Sequence, residues 1–164
     1  MQLEALLKKL TEVSDRDLTT GAARGQIASV LEVLPHDAPS DGRHLAAGLA
    51  VSQADGSGVQ VLGISGGQGA GKSTLAGLLV AASGALGRRA LALSLDDFYL
   101  TRAEREGLGR DVHPLLRTRG VPGTHDVAMA IATIDRLRRR EMIEVPGFDK
   151  SIDDRGEESR MIQD

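Results

Sequence analysis

A nine-residue run, Gly66-Gly-Gln-Gly-Ala-Gly-Lys-Ser-Thr74, constrains this chain more than any other feature. It fits the spacing G-x-x-x-x-G-K-[ST], in which each residue type answers a physical demand. Glycines reach backbone angles that a β-carbon forbids, so successive N–H groups turn inward and form an anion-binding concavity. A helix beginning near Lys72 adds the positive end of its dipole to the same place. Lys72 brings a mobile point charge for β- and γ-phosphates, the Ser73 hydroxyl suits Mg²⁺, and Thr74 is placed for the α-phosphate. Gly66, Gly67, Gln68, Gly69, Ala70, Gly71, Lys72, Ser73 and Thr74 are therefore the expected nucleotide-binding residues, with ATP and Mg²⁺ as the expected cofactors.

The flanking segments separate this reading from a chance glycine-rich turn. Val59-Gln-Val-Leu-Gly-Ile-Ser65 is a short β-branched apolar run of the kind that forms a buried parallel strand. Lys72 to Leu86 reads as a helix with Leu75, Leu78, Leu79 and Val80 on its buried side, and Ala90-Leu-Ala-Leu-Ser-Leu95 as a second strand. Strand, glycine loop, helix, strand is a βαβ unit, which implies a parallel sheet with a right-handed crossover. The expected class is α/β, a P-loop NTPase-type parallel sheet flanked by helices.

Upstream, Leu3, Leu6, Leu7, Leu10 and Val13 predict an amphipathic helix that Gly21 and Gly25 interrupt. Ile27, Val30, Leu31 and Leu34 predict a second, ending at Pro35, and Leu45, Ala46 and Leu49 a short third after a loop over 36–42. Residues 1–55 thus read as a helical segment packed on a P-loop domain spanning 56–164. Further on, 101–124 reads as a loop with a short helical piece, and Val127, Ala130, Ile131, Ile134 and Leu137 as a helix. Ile143-Glu-Val145 suits a short strand, and 149–164 is nearly all polar.

Composition narrows the classes. Aromatic residues make up 2% of the chain and the net charge is −3, so neither base stacking nor electrostatic attraction favours nucleic acid or an anionic membrane. The absence of cysteine removes disulfides and thiolate metal sites. The N-terminus is too short and too charged for a secretory signal or a membrane span, and a cytoplasmic protein is the simplest expectation.

Leu95 is followed by Asp96-Asp97-Phe98-Tyr99. Carboxylates at the C-terminal end of a parallel strand lie on the edge where open α/β sheets bind ligands. One is suited to accept a proton from a substrate hydroxyl and the other to hold Mg²⁺. The same pair equally suits a cap on a helix starting near Phe98, and an apolar run ending in Asp96 also mimics a strand whose acid binds magnesium.

The P-loop together with Ser94-Leu-Asp-Asp-Phe-Tyr-Leu-Thr101, His113-Pro-Leu-Leu116, Arg119-Gly-Val-Pro-Gly-Thr-His-Asp126 and Pro146-Gly-Phe-Asp-Lys-Ser151 resembles the D-glycerate 3-kinase family. That family is grouped with phosphoribulokinase, uridine kinase and pantothenate kinase. The resemblance implies transfer of a phosphoryl group from ATP to a hydroxyl of a small metabolite, D-glycerate first among them. It implies Asp96 as general base beside Lys72, which leaves Asp97, the other acid of the pair, with Ser73 as the expected metal residues. It further implies an acceptor site of Asp96, Tyr99, Arg119, His125, Lys150 and Arg155. His113 and the cluster Arg136, Arg138, Arg139 and Arg140 read more simply as structural and solvated positions.

The likeness runs from about Val59 to Arg155, and the family pattern continues with another acid-bearing strand, a lid and further helices. The chain is accordingly expected to be the N-terminal part of such a kinase, as a truncated product, a fragment or half of a split protein. Uridine-type or pantothenate-type kinases, and an ATP-binding module without catalysis, are the competing expectations.

Overall fold

The computed structural model describes residues 17–54, 56, 58–156 and 159–162; the expected helix around Leu3 to Val13 lies outside them. The chain divides into two compact units, one ending at Ala92 and the other beginning at Leu93.

Among the described residues the first unit holds three helices: α1 (Gly21–Val33), α2 (Ser40–Ser52) and α3 (Lys72–Ala85). Thr20 caps α1 by accepting from the Ala23 amide at 3.3 Å. Gly21 and Gly25, expected to interrupt a helix, instead lie within α1. The cap and the buried stripe Ala23, Ile27 and Val30 outweigh the ~1 kcal/mol that each helical glycine costs. Leu34 is already extended, as the residue before Pro35 must be. α2 starts at Ser40, shortening the expected loop. Its Ala46, Ala47, Ala50 and Val51 share one core with Ile27, Val30 and Leu34 from the α1 side and with Leu78 and Ala82 of α3. The Arg88 guanidinium then donates to the carbonyls of Gln53 (2.8 Å), Ala54 and Gly56 (3.3 Å), tying the chain beyond α3 to the end of α2.

The two parallel strands expected on either side of α3 do not form. Residues 59–67 and 88–94 lie in no helix or strand and have no ladder pairing, and Val59, Val61, Leu62 and Leu91 are 40–53% exposed. A parallel strand needs neighbours that take up its backbone groups and cover both faces, and neither segment has one among the described residues. What stands is the coarser class, helices mixed with short strands, the two sheets among the described residues being antiparallel pairs.

The second unit runs through a 3₁₀ turn (Leu95–Phe98), α4 (Arg102–Asp111), a second 3₁₀ turn (Pro114–Arg117) and α5 (Val127–Arg138). Four short strands follow: β1 (Ile143–Val145), β2 (Phe148–Asp149), β3 (Asp154–Arg155) and β4 (Arg160–Ile162). β1 pairs with β4, setting Ile143 opposite Ile162, and β2 with β3, setting Phe148 opposite Arg155. The polar tail therefore contributes two strands, because each pairs through its backbone and only Ile162 must supply apolar surface. Phe98, Ile143 and Val145 form this unit's core, with Leu93, Met129, Ala130, Leu137 and Ile162 packed on it. α4 is longer than the helical piece expected within 101–124. A reciprocal box starts it: the Thr101 amide donates to Glu104 at 2.8 Å and the Glu104 amide to the Thr101 hydroxyl at 3.3 Å. No helix among the described residues is long and apolar enough to cross a membrane.

Candidate functional site

The glycine loop enters α3 through Gly71, whose φ of 77° and ψ of 17° are left-handed. Gly69 has φ 74°, so two residues of the loop adopt angles that cost a β-carbon-bearing residue about 1–2 kcal/mol. Among the described residues no side chain caps α3, whereas Thr20, Thr101 and Asp126 cap α1, α4 and α5. The amides of the first turn are left for an external acceptor, next to the positive end of the helix. Lys72 folds back over the loop and donates through Nζ to the carbonyls of Gly66 (3.0 Å) and Gly67 (2.8 Å). Loop residues 65–71 are all exposed. An exposed loop beside an uncapped helix start, with a lysine over it, has the chemistry to accept an anion, and the Ser73 hydroxyl, on the second residue of α3, is an oxygen donor of the kind a hard cation takes.

The residues expected for the acceptor gather in the second unit. Ser94 starts the 3₁₀ turn, its hydroxyl accepting from the Asp96 amide at 3.2 Å, while Asp97 accepts from the Ser94 amide at 3.2 Å. The two acids thereby part company. Asp97 closes this cap and faces Arg160 at 3.2 Å, whereas Asp96 points to Lys150, its Oδ2 lying 2.6 Å from Nζ. The hydrogen bond from Lys150 holds the Asp96 carboxyl below the ordinary carboxylate value against a smaller desolvation effect, helped by the Tyr99 hydroxyl. Lys150 is raised by the same contact, and burial together with the Asp96 charge raises Tyr99. Asp96 is thus ionised near neutrality, as a proton acceptor must be.

Backbone pairing brings the other side of the site into place. Leu100 donates to the Thr124 carbonyl (2.9 Å) and Asp126 to that of Phe98 (2.7 Å), so Tyr99 and His125 sit opposite one another. Their rings stack with centroids 4.2 Å apart. Phe148 meets Tyr99 edge-on at 5.1 Å. Gly120, at φ 91°, turns the Arg119–Asp126 loop past the tyrosine; a β-carbon there would lie 3.7 Å from the phenolic oxygen.

Arg119 pairs with Asp153 and lies 5.8 Å from the Phe148 ring centre. Arg155 is engaged elsewhere: it donates to the Tyr99 carbonyl at 3.2 Å and pairs with Asp126 at 3.3 Å, and Asp126 also caps α5. Its place is that of a strut between segments. His113 accepts from the Leu115 amide as the cap of the second 3₁₀ turn. Arg136 and Arg139 pair with Glu141, and Arg138 faces Asp135, on the exposed end of α5. Asp96, Tyr99, Arg119, His125 and Lys150 therefore share one neighbourhood. Sequence reasoning missed Phe148, Arg105 and Asp153, whose contacts in this cluster cross up to 49 positions of chain, from Tyr99 to Phe148.

Comparison with known proteins points the same way at coarser resolution. The chain is 41% identical over 108 residues to a protein of Schizosaccharomyces pombe described as uncharacterized kinase mug58, a match taking in 61% of this chain and 39% of that protein. It is 35% identical over 98 residues to the chloroplastic D-glycerate 3-kinase of Arabidopsis thaliana, across 56% of this chain and 21% of the relative. The matched stretches thus span about two fifths and one fifth of these relatives. No family model matches, and no solved structure does. The two likenesses support a kinase family without singling out D-glycerate 3-kinase.

Proposed function

We propose that this chain is the P-loop part of an ATP-dependent small-molecule kinase that phosphorylates a hydroxyl of a small metabolite, with D-glycerate as the leading acceptor. The observation that carries the reading is the uncapped start of α3, reached through left-handed Gly71 with Lys72 folded over the loop. Gly66 to Thr74 hold the triphosphate, with Lys72 on its outer phosphates. The Ser73 hydroxyl would hold Mg²⁺, which would supply charge neutralisation at the phosphates. Asp97, the acid also proposed for the metal, is paired with Arg160 at 3.2 Å.

In the acceptor cluster Asp96 takes the hydroxyl proton, and Lys150 leaves its carboxylate for the incoming substrate. Tyr99, Arg119 and His125 line the place where an anionic acceptor is oriented, and Arg155 supports it from behind. Catalysis then comes from positioning and charge neutralisation. The acceptor assignment is supported by the named D-glycerate 3-kinase relative and by the cations Arg119 and Lys150, which suit a carboxylate. A cytoplasmic location accompanies the proposal.

The test is acceptor-dependent ADP release from MgATP, with D-glycerate, uridine and pantothenate compared. Turnover with D-glycerate alone supports the assignment, and preference for either of the others reassigns the acceptor within the same class. A second reading, an ATP-binding module without transfer, is favoured by the unpaired strand-length segments beside α3. ATP binding in a folded sample with no acceptor-stimulated ADP release is the result that selects it.

A further inference from the structure

A charged side chain in the second unit has no apparent business being buried. Arg105, on α4, is 0% exposed, and removing a guanidinium from water is costly unless every face of it is answered. It is answered from three separate segments. Nε donates to the Leu100 carbonyl at 3.2 Å, Nη1 to the Arg117 carbonyl at 3.0 Å and to Asp153 Oδ2 at 3.2 Å, and Nη2 to the Asp153 carbonyl. Its carbon Cζ lies 5.7 Å from the centre of the Phe148 ring. The other oxygen of Asp153 holds Arg119, which faces Phe148 as well. The turn that presents Asp153 is itself tight, with φ 56° at a residue that is not glycine. Partial burial works to raise this carboxyl, but the two guanidinium partners outweigh it and hold it low.

We infer that Arg105 is a positioning residue for the acceptor site: through Asp153 it fixes Arg119, and through Phe148 the face of Tyr99, so that cation and ring present one prepared surface to the substrate. It touches no acceptor itself. The inference rests on reading the Asp96 cluster as the acceptor site, and it adds a residue to that site from outside it. Lysine cannot replace this fork, because its single ammonium cannot serve the carbonyls of Leu100, Arg117 and Asp153 together with the carboxylate.

The experiment uses the full chain with MgATP and D-glycerate, and compares Arg105→Lys, Asp153→Asn, Arg119→Ala and the double variant Arg105→Lys/Arg119→Ala. Arg102→Ala, an exposed residue of the same helix, serves as control. Asparagine tolerates the left-handed backbone of residue 153 and keeps the carbonyl that Arg105 holds, so it isolates the carboxylate. Arg105→Lys is expected to raise the KM for acceptor about tenfold, with the KM for ATP unchanged, and to add less than about twofold once Arg119 is alanine. An unchanged acceptor KM, or an undiminished effect in the Arg119→Ala background, overturns the inference. Should Arg105→Lys fail to fold, Asp153→Asn decides by the same KM split and the same cycle with Arg119→Ala.

Failure of the kinase reading is distinguishable, because the chain has one tyrosine and no tryptophan, so Tyr99 fluorescence reports on this cluster alone. If the unaltered chain shows no turnover, acrylamide quenching of Tyr99 decides. Greater accessibility in Arg105→Lys and Asp153→Asn, but not in Arg102→Ala, sustains the positioning role. Equal quenching in all of them overturns it.

Discussion

The tasks proposed for Lys72 and Asp96 are separable, and single substitutions test each. Lys72→Ala removes the only side-chain cation that folds over the glycine loop among the described residues, so it is expected to weaken ATP binding and abolish turnover. Asp96→Asn keeps the size and loses the charge; ATP binding by calorimetry should be retained while phosphoryl transfer disappears. The pH dependence follows from the Lys150 contact. Folding lowers the Asp96 pKa, so the folded chain binds this proton less tightly than the unfolded one. The stabilisation is complete above the ordinary carboxylate value and is lost as pH falls through the lowered one. Turnover should therefore fall only on the acid side of the ordinary carboxylate range, and Lys150→Met should move that limb upward in a pH–rate profile. Spacing alone singled out Lys72, whereas the acids after the apolar run left base and cap equally open until the family resemblance favoured Asp96. Arg105 and Asp153 were not legible, since a fork meeting a carboxylate 48 positions away leaves no local pattern.

Helices were easiest to read where an apolar stripe met a punctuating residue. α1 ends at Val33, just ahead of Pro35, and α3 begins at the lysine of the glycine motif, as the residues imply. α4 escaped because its buried face carries Arg105 and Gly109 in place of apolar residues, so periodicity had nothing to register. Its capping box was the available signal. Thr101→Ala is accordingly expected to cost about 1 kcal/mol in a denaturant melt, by removing the box that starts α4. Gly71→Ala should cost about 1–2 kcal/mol, because alanine resists the left-handed entry to α3, and should weaken ATP binding as well. A Gly71→Ala chain that melts and binds like the parent would remove the geometric basis of the cradle.

At the scale of the whole chain, the parallel sheet was the expectation that failed, and its failure is instructive. Val59–Ser65 and Ala90–Leu95 have the composition of buried strands, yet composition expresses only what a segment would do if given neighbours. Pairing is a property of other segments, and the antiparallel pairs that do form draw on residues as polar as Asp154 and Arg160. The difference is measurable. Ile27→Ala, at a core position 2% exposed, should cost about 2–5 kcal/mol, while Val61→Ser, at a position 53% exposed, should stay within about 0.5 kcal/mol. A large loss for Val61→Ser would show that the first apolar run is covered in solution.

The reach of Lys72 back to the carbonyls of Gly66 and Gly67 has one more consequence. A lysine laced to its own loop has given up most of its rotamer freedom during folding, and it braces the arc it closes. For the anion cradle proposed above, that bracing implies that part of the ordering cost of capture is met on folding, so an arriving anion would forfeit less disorder.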